Sequence, residues 1–143
     1  MIAFIKNFLS VSKNLNFINL AFLKLKKDTG IEIIFRLINE NSEISEIRYV
    51  GGCVRKILNN EEVDDIDLAV NLSPNEVISI LKKNDIKFFE SGIDHGTITA
   101  FVDQVKFEIT SLREDIETDG RHAKVKFSKN WREDAGRRDF TIN

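Results

Sequence analysis

Residues 47–70 read IRYVGGCVRKILNNEEVDDIDLAV, and their pattern sets the fold. Ile47–Val50 has the β-branched and aromatic character of a strand, ended abruptly by Gly51-Gly52. Val54, Ile57 and Leu58 recur at i, i+3 and i+4, one face of a helix. Asp65–Val70 alternates as a strand does, which puts Asp65 and Asp67 on one face, roughly 6–7 Å apart, and turns Ile66 and Leu68 to the core. A strand, a bare-backbone turn, a helix start and a second strand bearing two carboxylates thus follow in order.

That order carries chemistry. Gly51 and Gly52 allow close approach to backbone N–H groups at a helix N-terminus, and Arg55, one turn in, adds a charge-assisted contact, so the segment suits phosphate. It equally suits a tight turn followed by a surface arginine. Asp65 and Asp67 suit Mg²⁺, which takes few protein ligands and keeps substrate oxygens and water. A D-x-D is also what a solvated strand end looks like.

Working outward, Ile31–Asn39 reads as a short helix. Residues 1–27 carry Lys6, Lys13, Lys24, Lys26 and Lys27 and no acidic residue, with phenylalanines and leucines between them. They read as one or two amphipathic helices packed on the domain, or as a targeting or membrane-surface segment. The division expected is a basic amphipathic extension over 1–30 and a folded domain over 31–143. On the other side, Ser73-Pro74-Asn75-Glu76 combines a cap, a first-turn proline and a capping-box glutamate, so a helix runs from there to about Lys83. Thr97–Val102 and Lys106–Leu112 form a hairpin around Asp103-Gln104-Val105. Residues 113–124 are polar and read as a mobile loop, Val125 and Phe127 as a short strand, and Asn130 and Glu133 as cap and third position of a last helix from Trp131. The order predicts an α/β fold: a mixed sheet of about five strands flanked by helices.

The chain has 143 residues, 42% hydrophobic and 31% charged, which suits one globular domain with Phe-rich core material. A net charge of −2 excludes a global positive field for nucleic acid, though not a local patch. The single cysteine, Cys53, excludes an intramolecular disulfide and makes a reducing, cytoplasmic setting the default, with an organelle as the alternative if residues 1–27 are a targeting segment. Cys53 reads as a small filler of the glycine turn. No run reaches the roughly 18 apolar residues of a transmembrane helix. Two histidines without a cysteine beside them do not make a zinc site.

Gly51-Gly52-Cys53-Val54-Arg55, followed by Asp65-Ile66-Asp67-Leu68-Ala69, resembles the first motif of the DNA polymerase β nucleotidyltransferase superfamily, and in detail that of the class II tRNA nucleotidyltransferases and their poly(A) polymerase relatives. Three further segments agree: His95-Gly96-Thr97; Leu112-Arg113-x-Asp115 leading to Asp119-Gly120-Arg121-His122, the flexible-loop motif; and Arg137-Arg138-Asp139-Phe140-Thr141-Ile142-Asn143, which matches the family's RRDFTIN string in full. The resemblance covers about residues 46–143. Lys56 departs from it, standing where an Asp is usual, as do Asn59 and Asn60 in place of Leu-Gly.

The resemblance implies a polymerase β-like palm and a two-metal transfer of CMP or AMP from CTP or ATP to the 3′ end of tRNA. Asp65 and Asp67 would be the catalytic, metal-binding carboxylates for two Mg²⁺. Glu108 would be the third carboxylate, helping to deprotonate the attacking hydroxyl, or else a strand-face salt-bridge partner. Gly51, Gly52, Arg55, Gly96, Thr97, Arg121, Arg137, Arg138, Asp139 and Asn143 would bind nucleotide. The family continues past the final Asn into neck, body and tail domains that select the base and hold the tRNA. A fragment, a separately encoded half needing a neck-to-tail polypeptide, a poly(A) polymerase and a non-catalytic remnant therefore all stay open.

Overall fold

The computed structural model describes residues 2–119 and 122–138, with side chains for 15–114, 116 and 125–138. Its elements run α1 (Ile2–Thr29), α2 (Glu32–Asn39), β1 (Ile47–Tyr49), α3 (Gly52–Leu58), β2 (Ile66–Val70), α4 (Pro74–Lys83), β3 (Lys87–Gly92), a 3₁₀ turn (Ile93–His95), β4 (Thr97–Val102), β5 (Val105–Ser111), β6 (Arg113–Asp119), β7 (His122–Phe127) and α5 (Trp131–Gly136). Five strands form a mixed sheet in the order β1-β2-β5-β4-β3, with β2 and β5 parallel and the other pairs antiparallel. The expected α/β fold with a mixed five-stranded sheet is the one observed.

Alternation decides which face of the sheet is dry. Ile66, Leu68 and Val70 of β2, Ile98, Ala100 and Val102 of β4, and Phe107 and Ile109 of β5 all point one way. Ile34 and Ile38 of α2 and Val77, Ile80 and Leu81 of α4 cover them. Each such side chain contributes about 1.5–3 kcal/mol on leaving water. On the other side a smaller cluster of Val50, Ala69 and Leu112 receives Trp131 and seats α5.

Local signals explain most boundaries. Ser73 Oγ accepts from Glu76 N and the Glu76 carboxylate accepts from Ser73 N, completing the capping box that starts α4. Asn130 caps α5 as expected, but its side chain accepts from Arg132 N, while Glu133 binds the Asn130 side-chain amide. Val102 pairs with Val105, so the β4–β5 turn is two residues, Asp103 and Gln104, both at positive φ; this narrows the three-residue connection expected from sequence.

Two expectations need correction. Residues 87–92 were assigned no element, yet they form edge strand β3, with Phe88 packed against the core cluster and Phe89 outward, edge-on to Phe101 at 5.6 Å. The expected loop over 113–124 is, in its described part, a β6–β7 ladder with a register shift between Asp115 and Glu117; the register sets Glu114 opposite Lys126 and Glu117 opposite Lys124, so residues of opposite charge take facing positions where apolar alternation would be sought. Residues 2–29 form a single helix, within the one or two expected. Phe22 stacks on Tyr49 at 5.0 Å and Tyr49 on Phe35 at 4.9 Å, while Leu15, Leu20 and Leu23 stay exposed. No helix among the described residues is long and apolar enough to cross a membrane.

Candidate active site

The face of the sheet opposite the core carries the chemistry. Register sets Asp67 opposite Glu108 and Glu108 opposite Thr99, so these three form a row across β2, β5 and β4. Thr110 and Thr97 form the next row, their hydroxyls 3.1 Å apart. Asp65 lies one residue before β2 rather than in it, and its carboxylate is exposed. Lys106, two positions before Glu108 and on the same face of β5, brings its Nζ 3.3 Å from Glu108 and 3.8 Å from Asp65. The three carboxylates therefore share one neighbourhood with a lysine among them.

Their crowding shows in protonation. The Asp67 carboxyl is pushed above its ordinary value of 3.8, first by burial and then by the charges of Glu108 and Asp65; Arg138 and Lys106 pull it down without prevailing. The row holds surplus negative charge, which a divalent cation would neutralise. Among the described residues, no three His, Cys, Asp or Glu side chains converge tightly enough to form a complete protein cage. Asp65 and Asp67 are hard oxygen donors of the kind a divalent cation takes together with phosphate and water.

The glycine turn abuts this row. Val50 N donates to Asp67 O at 3.0 Å, and Gly51, at φ +67°, sits so that a Cβ there would lie 3.4 Å from Asp67 Oδ2. A side chain there would strain the backbone and come into contact with the carboxylate. Arg55 folds back over the turn, its Nη2 3.9 Å from where a Gly52 Cβ would be. Cys53 is buried beneath, its thiol donating to Val50 O at 3.1 Å and pushed up in pKa chiefly by burial, as a packing residue would be. Lys56 pairs with Asp64 at the far end of this segment.

Arg138 faces the row from α5's end, close enough for its charge to act on Asp67. Its Nε donates to Asp134 at 2.6 Å, and its Nη2 is buried with no hydrogen-bond partner among the described residues. Arg137 turns to the same Asp134, at 2.7 Å from Nη2 and 3.0 Å from Nε, and also donates to Arg113 O at 3.2 Å. Gly96 stands apart from the carboxylates: at φ +80° it ends the 3₁₀ turn, and a Cβ there would lie 2.6 Å from Phe127 Cε1. Thr97 stays on the open face, one row along. Arg121, Asp139 and Asn143 lie outside the described residues.

Sequence reasoning passed over Lys106 and Asp134. Asp134 had a signal, since it stands three and four residues before Arg137 and Arg138 on a capped helix, the spacing of side-chain neighbours. Lys106 had one only once the strand was placed, as an i−2 neighbour of Glu108.

Known proteins with this arrangement follow from comparison. The human "CCA tRNA nucleotidyltransferase 1, mitochondrial" is 45% identical over 102 residues, 71% of this chain and 24% of that protein. The "CCA-adding enzyme" of Oceanobacillus iheyensis is 43% identical over 97 residues, 66% of this chain and 23% of that protein. The chain spans about a quarter of the length of these curated relatives. The crystal structure of the Bacillus stearothermophilus CCA-adding enzyme in complex with CTP shares the fold at a TM-score of 0.64 and 28% identity, covering 77% of this chain and 25% of that one. A family model described as the poly A polymerase head domain matches residues 47–143, from β1 through the glycine turn, the carboxylate row and the double arginine, and by that match the chain belongs to the poly A polymerase head-domain family.

Proposed function

We propose that this chain is the nucleotidyl-transfer head of an RNA nucleotidyltransferase that adds CMP and AMP, taken from CTP and ATP, to the 3′ end of tRNA. The observation that carries the proposal is the row of Asp67 and Glu108, with Asp65 beside it, set against the Gly51-Gly52 turn and within reach of the charge of Arg138, whose Nη2 has no partner among the described residues. A buried donor without an acceptor costs about 1–3 kcal/mol, which a phosphate oxygen on Nη2 would recover.

In the reaction, the 3′-hydroxyl oxygen of the RNA bonds to the α-phosphorus of the nucleotide, the bond from that phosphorus to the β-phosphate bridging oxygen breaks, and pyrophosphate leaves. Asp65 and Asp67 would hold Mg²⁺, which when bound neutralises phosphate charge and eases loss of the hydroxyl proton. Glu108 would take that proton, a role its register opposite Asp67 supports; its ion pair with Lys106 fits the alternative of a strand-face salt-bridge partner. Gly51 and Gly52 keep the approach to Asp67 clear of side chains. Arg55, folded over the turn, and Arg138 would bind the triphosphate. Thr97 lines the same open face one row further along. The curated relatives named mitochondrial favour the organellar alternative for location over the cytoplasmic one.

The test is incorporation of labelled CTP and ATP into tRNA lacking its CCA end, with Mg²⁺, by the chain alone and with a neck-to-tail polypeptide supplied in trans. Incorporation in either arm, lost in Asp67→Ala, is the expected result. Wild-type turnover in Asp67→Ala, or no incorporation in either arm by folded protein, would sink the proposal. Incorporation of AMP alone would instead make the chain the head of a poly(A) polymerase.

A further inference from the structure

We propose that Asp134 is the positioning residue of the site: its buried carboxylate holds Nε of Arg138 and so fixes the guanidinium plane in which the terminal nitrogens are presented to the nucleotide phosphates. The proposal rests on the reading of Arg138 as a nucleotide-binding residue.

Asp134 is 2% exposed, and carboxylates are almost never that buried unless paired. Here its partners are plural. Oδ2 accepts from Arg138 Nε at 2.6 Å; Oδ1 accepts from Arg137 at 2.7 and 3.0 Å and from Arg113 N at 3.1 Å. Burial alone would raise the Asp134 carboxyl, but the bonds from Arg138, the Arg113 backbone and Arg137 outweigh it and hold the group below its usual value. It is therefore ionised and fully engaged.

What this engagement does to Arg138 is specific. A guanidinium has five donors in a rigid fork, and fixing Nε fixes the plane of the rest. Nη2 of Arg138 is then left buried and unpartnered among the described residues, on a side chain whose charge already reaches Asp67. Nη2 thus keeps N–H groups for a ligand oxygen. The anchor is itself fixed: Arg113 starts β6, and its Nη1 donates to His95 O at 2.8 Å, so Asp134 references Arg138 to the β4 entry turn as well as to α5.

The experiment is calorimetric titration of the full chain with ATP and Mg²⁺, for wild type, Asp134→Asn, Arg138→Ala and the double variant. Losing a charge-assisted contact costs about tenfold or more in affinity, so each single variant should bind about tenfold more weakly than wild type. Because Asp134 acts through Arg138, the double variant should be no weaker than Arg138→Ala. Wild-type affinity in Asp134→Asn, or single losses that multiply to about a hundredfold in the double variant, overturns the proposal. A wild-type chain that binds no nucleotide overturns the functional reading instead.

A second measurement needs no change at Asp134. In wild type at neutral pH, the Arg138 Nε–H nitrogen-15 signal, assigned by its loss in Arg138→Ala, should be sharp and slow to exchange, and should stay so when ATP is added. An Nε–H exchanging as fast as that of a free arginine overturns the proposal whether or not Asp134→Asn folds.

Discussion

Gly96→Ala separates a structural role from a ligand role at a position where the sequence suggested nucleotide contact. The new methyl meets two obstacles. At φ +80° a Cβ costs about 1–2 kcal/mol. It would also lie 2.6 Å from Phe127 Cε1 and 3.4 Å from Ser111 Cβ, and crowding of that kind costs about 1–3 kcal/mol. The Phe127 ring is 40% exposed and can swing outward, which sets the crowding cost near the lower end. The expected total is about 2–3 kcal/mol, or a fall in Tm of roughly 8–12 °C at roughly 4 °C per kcal/mol. Urea unfolding followed by fluorescence of Trp131, the chain's single tryptophan, measures it. In a Phe127→Ala background the crowding share should vanish and only the backbone share remain. An equal loss in both backgrounds refutes the close approach. Unchanged stability with weakened ATP binding would make Gly96 a ligand position after all.

Three other outcomes follow from the same geometry. Asp67→Asn should stabilise the metal-free chain at pH 7 by up to about 1 kcal/mol, since a half-buried carboxylate is partly screened. Its folded-state pKa is raised, so the cost is absent below the unfolded value of 3.8 and grows as pH rises through the folded one; Tm measured from pH 3 to 8 should show the variant's advantage opening in that direction. Tyr49→Phe should be neutral or stabilising by about 1 kcal/mol, because Tyr49 Oη is buried with no hydrogen-bond partner among the described residues; a loss of more than about 1 kcal/mol in urea unfolding would show that the hydroxyl has one. Ser73→Ala should cost about 1 kcal/mol through the lost cap and should lessen the depression of the Glu76 pKa, of which the Ser73 hydroxyl is the first cause and the Ser73 backbone N–H the second; carbon-13 titration of the Glu76 carboxyl reads this directly.

The legible parts of the fold were those where one physical signal dominates. Alternation in Asp65–Val70 sorted Ile66 and Leu68 from Asp67 correctly, because burial on one face is a strong constraint. The capping box at Ser73 marked its helix to the residue. Phe88-Phe89 hid an edge strand, since one ring faces the core and the other its neighbour Phe101, and two adjacent apolar residues show no period. The β6–β7 ladder hid because its cross-strand positions pair charge with charge and it does not lie on the core. At the candidate site, motifs named the carboxylates and arginines, but they could not say that Arg137 and Arg138 share Asp134, or that Lys106 stands among the acids. Those are contacts between segments, and only packing creates them.

The parallel pairing of β2 with β5 has a kinetic consequence. Asp67 and Glu108 become neighbours only after the chain between them has made α4, β3 and β4 and returned to lie beside β2. Parallel pairing over such a separation closes a long loop before any contact repays it, and so is slow. The mutual repulsion of the acids is deferred to that moment. A nascent chain with β2 made and β5 still in the ribosome carries Asp65 and Asp67 without their third partner, and assembly of the acidic row becomes a late checkpoint of folding rather than an early seed.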